Sequence, residues 1–231
     1  MQSPKSAYVI AELCSNTAPF DDARLEMFCR AAAEAGADAA KVQLFLPDHF
    51  PEAEREAKRA VQFPREVFPR LVGLAHWLGI EAGASVFDAA AVEIAAGGDF
   101  LKLATREEDN RVLRLLCFSK RLPIFRSVSW RPRFQSAAWP GETTLGCMAE
   151  YPTPDDHPAL LLLPKLASIL SAPFGWSSHT RGWEDVLAAV RAGATVIEKH
   201  LKLSDADPEA AWSLNPAQFA EMVKQIREAE K

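Results

Sequence analysis

Lys41 and Lys102 lie within short apolar runs of the 231-residue sequence, and His179 and His200 lie at or just past the ends of two more. Lys41 lies in DAAKVQLF (38–45) and Lys102 in DFLKLA (99–104). His179 follows PFGWSS (173–178), and His200 ends TVIEKH (195–200). Alternate residues of a strand share a face. Lys41, Gln43 and Phe45 therefore share one face, and Ala40, Val42 and Leu44 the other. The apolar set should meet helices, which turns Lys41 and Gln43 inward. Two lysines aimed at one mouth are costly without an anionic ligand, because an unpaired buried charge is strongly unfavourable and like charges add to the cost. Together they point to an anion site, although either alone reads equally well as a solvated strand end. His179 and His200 on neighbouring strands can reach one metal and leave positions open for water and substrate oxygens; their spacing alone fits two unrelated histidines as well. Glu12 and Glu198 are further ligands, acid–base groups or internal salt-bridge partners.

The elements that must position these residues alternate along the chain. Eight short β-rich runs are visible: 8–13, 38–45, 81–87, 99–104, 122–127, 143–148, 173–178 and 195–200. Helical patterns fill the gaps near 21–35, 65–78, 88–96, 109–119, 156–170, 182–192 and 215–229. Asp21, Asp88 and Asn215-Pro216 mark helix starts, and Gly36, Gly79 and Gly193 mark helix ends. Strand–helix alternation of this kind means parallel strands with crossover helices. Eight units predict a single-domain (β/α)8 TIM barrel over residues 1–231, with an open doubly wound sheet as the alternative. In such a barrel the site forms at the carboxyl ends of the strands. The fifth unit is irregular: residues 128–142 are rich in Trp, Arg and Pro, and at most a short helix is expected there.

Composition sets the outer limits. The hydrophobic fraction is 48% and the charged fraction 25%, values that suit a chain with a sizeable core. A net charge of −5 argues against nucleic acid or an anionic membrane as partner, so an anionic substrate must be held by a few placed cations. No apolar run reaches membrane-spanning length, and the start lacks a leader's apolar stretch and cleavage site. The cysteines, Cys14, Cys29, Cys117 and Cys147, form no C-x-x-C pair and read as reduced, buried thiols. A cytoplasmic protein is the expectation.

Several segments, in order, resemble a known family: IAEL (10–13), AGADAAKVQLF (35–45), SVFD (85–88), FLKLATREEDN (100–110), YPTP (151–154), GWSSHTRG (175–182), GATVIEKH (193–200) and SLNPAQF (213–219). Together they are similar to the barrel domain of the N-acetylneuraminate (sialic acid) synthases and of their relatives for other nonulosonic acids. YPTP, the S-x-H-T turn and IEKH are the specific parts. The resemblance implies condensation of phosphoenolpyruvate with an open-chain N-acetylated sugar or sugar phosphate and release of phosphate. A divalent metal, manganese or magnesium, polarises the sugar aldehyde. Carried onto this sequence, Lys41, Lys102, Thr105 and Ser127, with Ser85, hold phosphoenolpyruvate, and Gln43 lies beside them. His179 and His200 bind the metal. Glu12 contacts the metal-bound sugar, and Glu107 handles the attacking water. Ser177 belongs to the substrate-binding set, Tyr151 contacts the sugar, and Glu209 stands where the family usually has an Asp that meets sugar hydroxyls. Lys102 joins Glu12 and Glu107 as the catalytic set.

The sequence also departs from that pattern. The family's histidine after the first strand is absent from CSNTAPFDD, where Asn16 remains. Its SDHT is here Ser177-Ser178-His179-Thr180, and its STGM-like segment begins Ser127-Val128-Ser129 without the Gly. Family members usually carry an antifreeze-like C-terminal domain that supplies a sugar-binding arginine across a dimer, whereas this sequence runs to the eighth helix. The expectation is that the phosphoenolpyruvate and metal half is kept and the sugar half altered. Arg126, Arg131 or Arg133, a homodimer, or a separate protein would then supply the arginine. Two rival readings stand beside this one. A 3-deoxy-ulosonate synthase shares the Lys and His logic but not YPTP followed by S-x-H-T. A catalytically degenerate barrel that binds a ligand or scaffolds glycan biosynthesis has no need of all of Lys41, Lys102, Glu107, His179 and His200.

Overall fold

The structure is a computed structural model that describes residues 6–129, 138–170 and 173–230. Its strands are β1 (Tyr8–Glu12), β2 (Ala39–Leu44), β3 (Glu81–Val86), β4 (Phe100–Leu103), β5 (Ile124–Ser129), β6 (Glu142–Cys147), β7 (Phe174–Ser178) and β8 (Val196–His200). Each is parallel to the next, and β1 pairs with β8, so the sheet closes into the expected barrel. Around it lie α1 (Asp22–Glu34), α2 (Glu52–Ala60), α3 (Phe68–Trp77), α4 (Ala89–Ala95), α5 (Arg111–Ser119), α6 (Leu166–Ile169), α7 (Glu184–Arg191) and α8 (Pro216–Ala229). Among the described residues no helix is long and apolar enough to cross a membrane.

The helix signals in the sequence do their physical work. Asp21 accepts from the Arg24 amide and Asp88 from the Ala91 amide. Asn215 and Gln218 cap each other reciprocally at the start of α8. Gly36, Gly79 and Gly193 leave their helices at φ of 82°, 79° and 97°, a region that side chains disfavour.

Three features differ from the sequence expectation. The first is α2, which no apolar periodicity announces: EAEREAKRA buries none of its residues. Its acidic first turn and basic last turn complement the helix dipole instead. The second is the stretch expected as a helix at 156–170, which is mostly the 3-10 segment Pro158–Lys165 before the short α6. Pro164 lies within it; proline removes a hydrogen bond and clashes with the preceding turn. The third is β5, which runs on to Ser129. Residues 130–137, which include Arg131 and Arg133, lie outside the described residues.

Side chains alternate across the barrel wall as the pleat requires. Ala40, Val42 and Leu44 join the large core beneath the helices. Inside, Ile10, Ala39, Phe100, Phe125, Leu145 and Val196 form an apolar floor, with Tyr8 packed against it. Space there is tight: a Cβ on Gly83 would stand 2.4 Å from the Phe100 ring. Above the floor the inward residues turn polar. The register sets Glu12 beside both Lys41 and His200, Ser85 beside Lys102, and Ser177 beside Glu198.

Candidate active site

The polar layer opens into a cavity of about 710 Å³ at the carboxyl ends of the strands. Twelve of the residues expected at the site line it: Glu12, Lys41, Gln43, Ser85, Lys102, Thr105, Ser127, Tyr151, Ser177, His179, His200 and Glu209. Glu107 does not. It sits on the 3-10 turn Thr105–Glu107 and accepts a hydrogen bond from Asn110 Nδ2 at 2.8 Å, while Glu108 occupies the wall. Arg126 points to the outer face, where its Nε meets Glu142 at 2.6 Å, and it is no part of the cavity.

The two lysines are not left for a ligand alone to neutralise, which corrects the charge argument made from the sequence. Lys41 binds Glu12 directly, donates to Ser85 Oγ at 2.8 Å and stands 3.5 Å from Glu198. Lys102 Nζ donates to Glu198 Oε1 at 2.5 Å, and Ser177 Oγ donates to the same oxygen at 2.9 Å. All four charged groups are buried. Burial pulls Lys41 down, but Glu12 and Glu198 beside it hold it above the ordinary lysine range. Burial pushes Glu198 up, yet Lys102 and Lys41 outweigh it and hold that carboxyl well below its usual range. In Glu12 burial prevails over Lys41, and the carboxyl is raised. The polar layer thus pairs two lysines with two carboxyl groups and is rich in donors.

Not every polar atom in this layer is satisfied. Ser127 Oγ, Glu198 Oε2, His200 Nδ1, Glu209 Oε2 and Trp212 Nε1 are buried without a hydrogen-bond partner. Buried polar atoms are nearly always paired, so such a group on a cavity wall marks where a ligand is met. His200 Nδ1 and Glu209 Oε2 lie 2.8 Å apart, yet their directions do not make a hydrogen bond.

The imidazoles of His179 and His200 are 5.3 Å apart between ring centres. Burial pushes His179 down to about 3 and His200 down to about 4, so both are neutral near pH 7, as metal ligation needs. His179 Nδ1 lies 2.7 Å from the Met148 carbonyl, a contact that assigns the proton to Nδ1 and leaves Nε2 with its lone pair. Among the described residues no group of three or more His, Cys, Asp or Glu side chains could hold an ion. Two neutral imidazoles alone do not close a metal site, so a cation here would need water and substrate oxygens in its other positions.

Residues the sequence reading missed build the surroundings. Asn16 donates to the Leu201 carbonyl and Ser213 Oγ, and its Oδ1 accepts from the Glu209 amide at 2.7 Å. It thereby fastens the loop that carries Glu209 and Trp212. Trp212 and Tyr151 meet edge to face, and Tyr151 packs on His179 at 4.3 Å. On the outer side, buried Lys199 donates to the Thr180 carbonyl at 2.5 Å and to Ser178 Oγ at 3.0 Å. This ties the turn bearing His179 to the strand bearing His200. Phe50, Lys58 and Arg106 also line the cavity. The strand positions had a sequence signal in their period-two alternation, and Tyr151 and Glu209 in the motifs; Phe50, Lys58 and Trp212 had none.

Comparison with known proteins follows the same outline. Residues 134–231 match the NeuB family. The N,N'-diacetyllegionaminic acid synthase of Legionella pneumophila is 29% identical over 87% of this chain and 66% of its own length. The chain spans less than two thirds of the curated relatives it matches first. Among solved structures, the spore coat polysaccharide biosynthesis protein SpsE of Bacillus subtilis has a TM-score of 0.80 at 27% identity, covering 97% of this chain and 68% of its own. The N-acetylneuraminic acid synthetase of Leptospira borgpetersenii, in complex with citrate, shares the fold at a TM-score of 0.87 and 22% identity, over 98% and 85% of the two chains. The likeness to the sialic acid synthases read from the motifs holds, and it rests on the NeuB match over residues 134–231 together with these relatives.

Proposed function

We propose that this barrel condenses phosphoenolpyruvate with an N-acetylated sugar, or its phosphate, to a nonulosonic acid and releases inorganic phosphate. The observation that carries the reading is the pairing, in one cavity, of a donor-rich lysine and serine floor with two neutral imidazoles. Atoms balance with one water: C3 of phosphoenolpyruvate bonds to the aldehyde carbon, water oxygen bonds to C2, and the bond from C2 to the phosphate oxygen breaks. Lys41, Lys102, Ser85, Thr105 and Ser127 bind phosphoenolpyruvate, with Gln43 and Ser177 alongside; Ser127 Oγ is the donor already free for it. His179 and His200 would hold manganese or magnesium, which supplies Lewis-acid polarisation of the aldehyde oxygen when bound. Glu12, Tyr151 and Glu209 orient the sugar. Glu107, the group the resemblance implies for the proton of the attacking water, lies off the wall on the Thr105–Glu107 turn and would have to turn in from Asn110 to serve.

A non-catalytic barrel is favoured by one observation, the internal neutralisation of both lysines. Thermal unfolding with phosphoenolpyruvate, with and without manganese, separates the two. A ligand at about 100 times its dissociation constant stabilises by roughly 2.7 kcal/mol. For a domain of this size that is a shift of roughly 5–10 °C. A shift enlarged by metal, with phosphate released when sugar is added, supports the synthase. No shift at millimolar phosphoenolpyruvate removes it.

A further inference from the structure

Behind the sheet, between β7, β8 and α7, lies a polar cluster that takes no part in lining the cavity. Its members, Trp176, Ser178, Thr180, Asp185 and Lys199, are all buried. Three donors converge on the Asp185 carboxylate: Trp176 Nε1 at 2.7 Å, Thr180 Oγ1 at 2.9 Å and Ser178 Oγ at 3.1 Å. Asp185 stands in the first turn of α7, where the helix dipole favours an anion. Lys199 Nζ reaches no carboxylate directly among the described residues. Its acceptors are the Thr180 carbonyl at 2.5 Å, Ser178 Oγ at 3.0 Å and, more weakly, Thr180 Oγ1 at 3.5 Å. A buried ammonium is costly without an anion close by. Ser178 supplies the link, because a hydroxyl that accepts from an ammonium must point its own proton elsewhere. The bonds therefore run one way, from Lys199 through Ser178 to Asp185. Burial pulls the Lys199 ammonium down to about 8, and Asp185 is the largest charge opposing that pull. Ser178 stands where the resembling family has an aspartate; here the carboxylate comes from seven residues further along.

Ser178 and Thr180 flank His179. Both hydroxyls are drawn to Asp185, and the Thr180 carbonyl is held by Lys199. The backbone on each side of the imidazole is thus fixed from behind. The ring is left on the cavity side, with Nδ1 2.7 Å from the Met148 carbonyl. We propose that Asp185 is a positioning residue for His179: acting through Ser178, Thr180 and Lys199, it holds the imidazole facing the cavity with its proton on Nδ1. The inference rests on the reading of His179 as a metal-binding group and names what keeps that group ready.

The test uses the full chain and two readouts. One is the pair of imidazole nitrogen shifts of His179, measured by NMR without metal; the other is manganese affinity by calorimetry. In Asp185→Asn the amide nitrogen must face at least one of the three donors. The single Nδ1-protonated tautomer of the wild type should give way to a mixture, and manganese affinity should fall roughly tenfold, the scale of losing a group that orients a ligand. Adding Ser178→Asp puts a carboxylate directly against Lys199 and should restore both. Ser178→Ala cuts the link while keeping Asp185 and should reproduce the loss, so the proposal stays testable if Asp185→Asn fails to fold. A wild-type His179 spectrum in either single variant overturns the proposal. So does a loss that Ser178→Asp does not recover, which would make Asp185 a stabiliser of the fold only. Failure of the wild type to bind manganese would count against the metal reading instead, while the metal-free spectra would still decide the role of Asp185.

Discussion

Removing Lys102 has two consequences, and a single substitution confounds them. It takes a donor from the anion site, and it strips Glu198 of its closest cation. Breaking a buried ion pair costs about 3–5 kcal/mol because the survivor is left charged and dry. Lys102→Met should therefore lower both stability and phosphoenolpyruvate affinity. Adding Glu198→Gln should restore much of the stability and none of the affinity. Recovery of affinity in that double variant, measured by calorimetry, would remove Lys102 from the anion site. His200→Ala should abolish manganese binding with the circular dichroism spectrum unchanged; unaltered metal affinity would end its assignment as a ligand. At this scale the sequence was informative about which side chains face inward, because the pleat alternates. It was silent on who neutralises whom. Glu198 and Lys102 lie 96 residues apart, and only barrel closure shows that they touch.

Among the elements, α2 and the turn after β7 play opposite parts. Ala57→Pro breaks α2 at a local cost of about 3 kcal/mol. Since α2 buries no residue, the melting temperature should hardly move. A large fall in melting temperature would mean that the helix supports the barrel after all. The turn after β7 depends on Lys199, whose ammonium grips Thr180 and Ser178 from behind the sheet. Lys199→Met takes that donor from the buried Thr180 carbonyl, at about 1–3 kcal/mol, and should weaken metal binding by His179 and His200 as well. Metal affinity equal to wild type would show that the turn holds its shape unaided. The strands, the caps at Asp21, Asp88 and Asn215, and the glycine exits were legible because each has a local cause. The helix at 52–60 and the 3-10 run at Pro158–Lys165 were not. One has no apolar face to betray it, and in the other Pro164 overrides the apolar pattern.

Across the whole molecule the apolar floor is what holds the polar layer at a fixed height. Gly83→Ala would drive a methyl group into the Phe100 ring. Overpacking of this kind costs about 1–3 kcal/mol, a fall of several degrees in melting temperature. Phe100→Leu in the same chain should recover part of it by vacating the space; no recovery would place the strain elsewhere. Closure of the sheet has one more consequence. Lys41 and Lys102 emerge early from the ribosome, while Glu198 and the strand that completes the ring are made last. Until that final stretch is out, a nascent chain that tried to collapse would have to enclose one more cation than anion, since Glu12 can answer for only one lysine. The mismatch discourages premature half-barrels and rewards waiting for the eighth strand. A fragment ending before residue 195 should accordingly stay open until a peptide bearing Glu198 is supplied in trans.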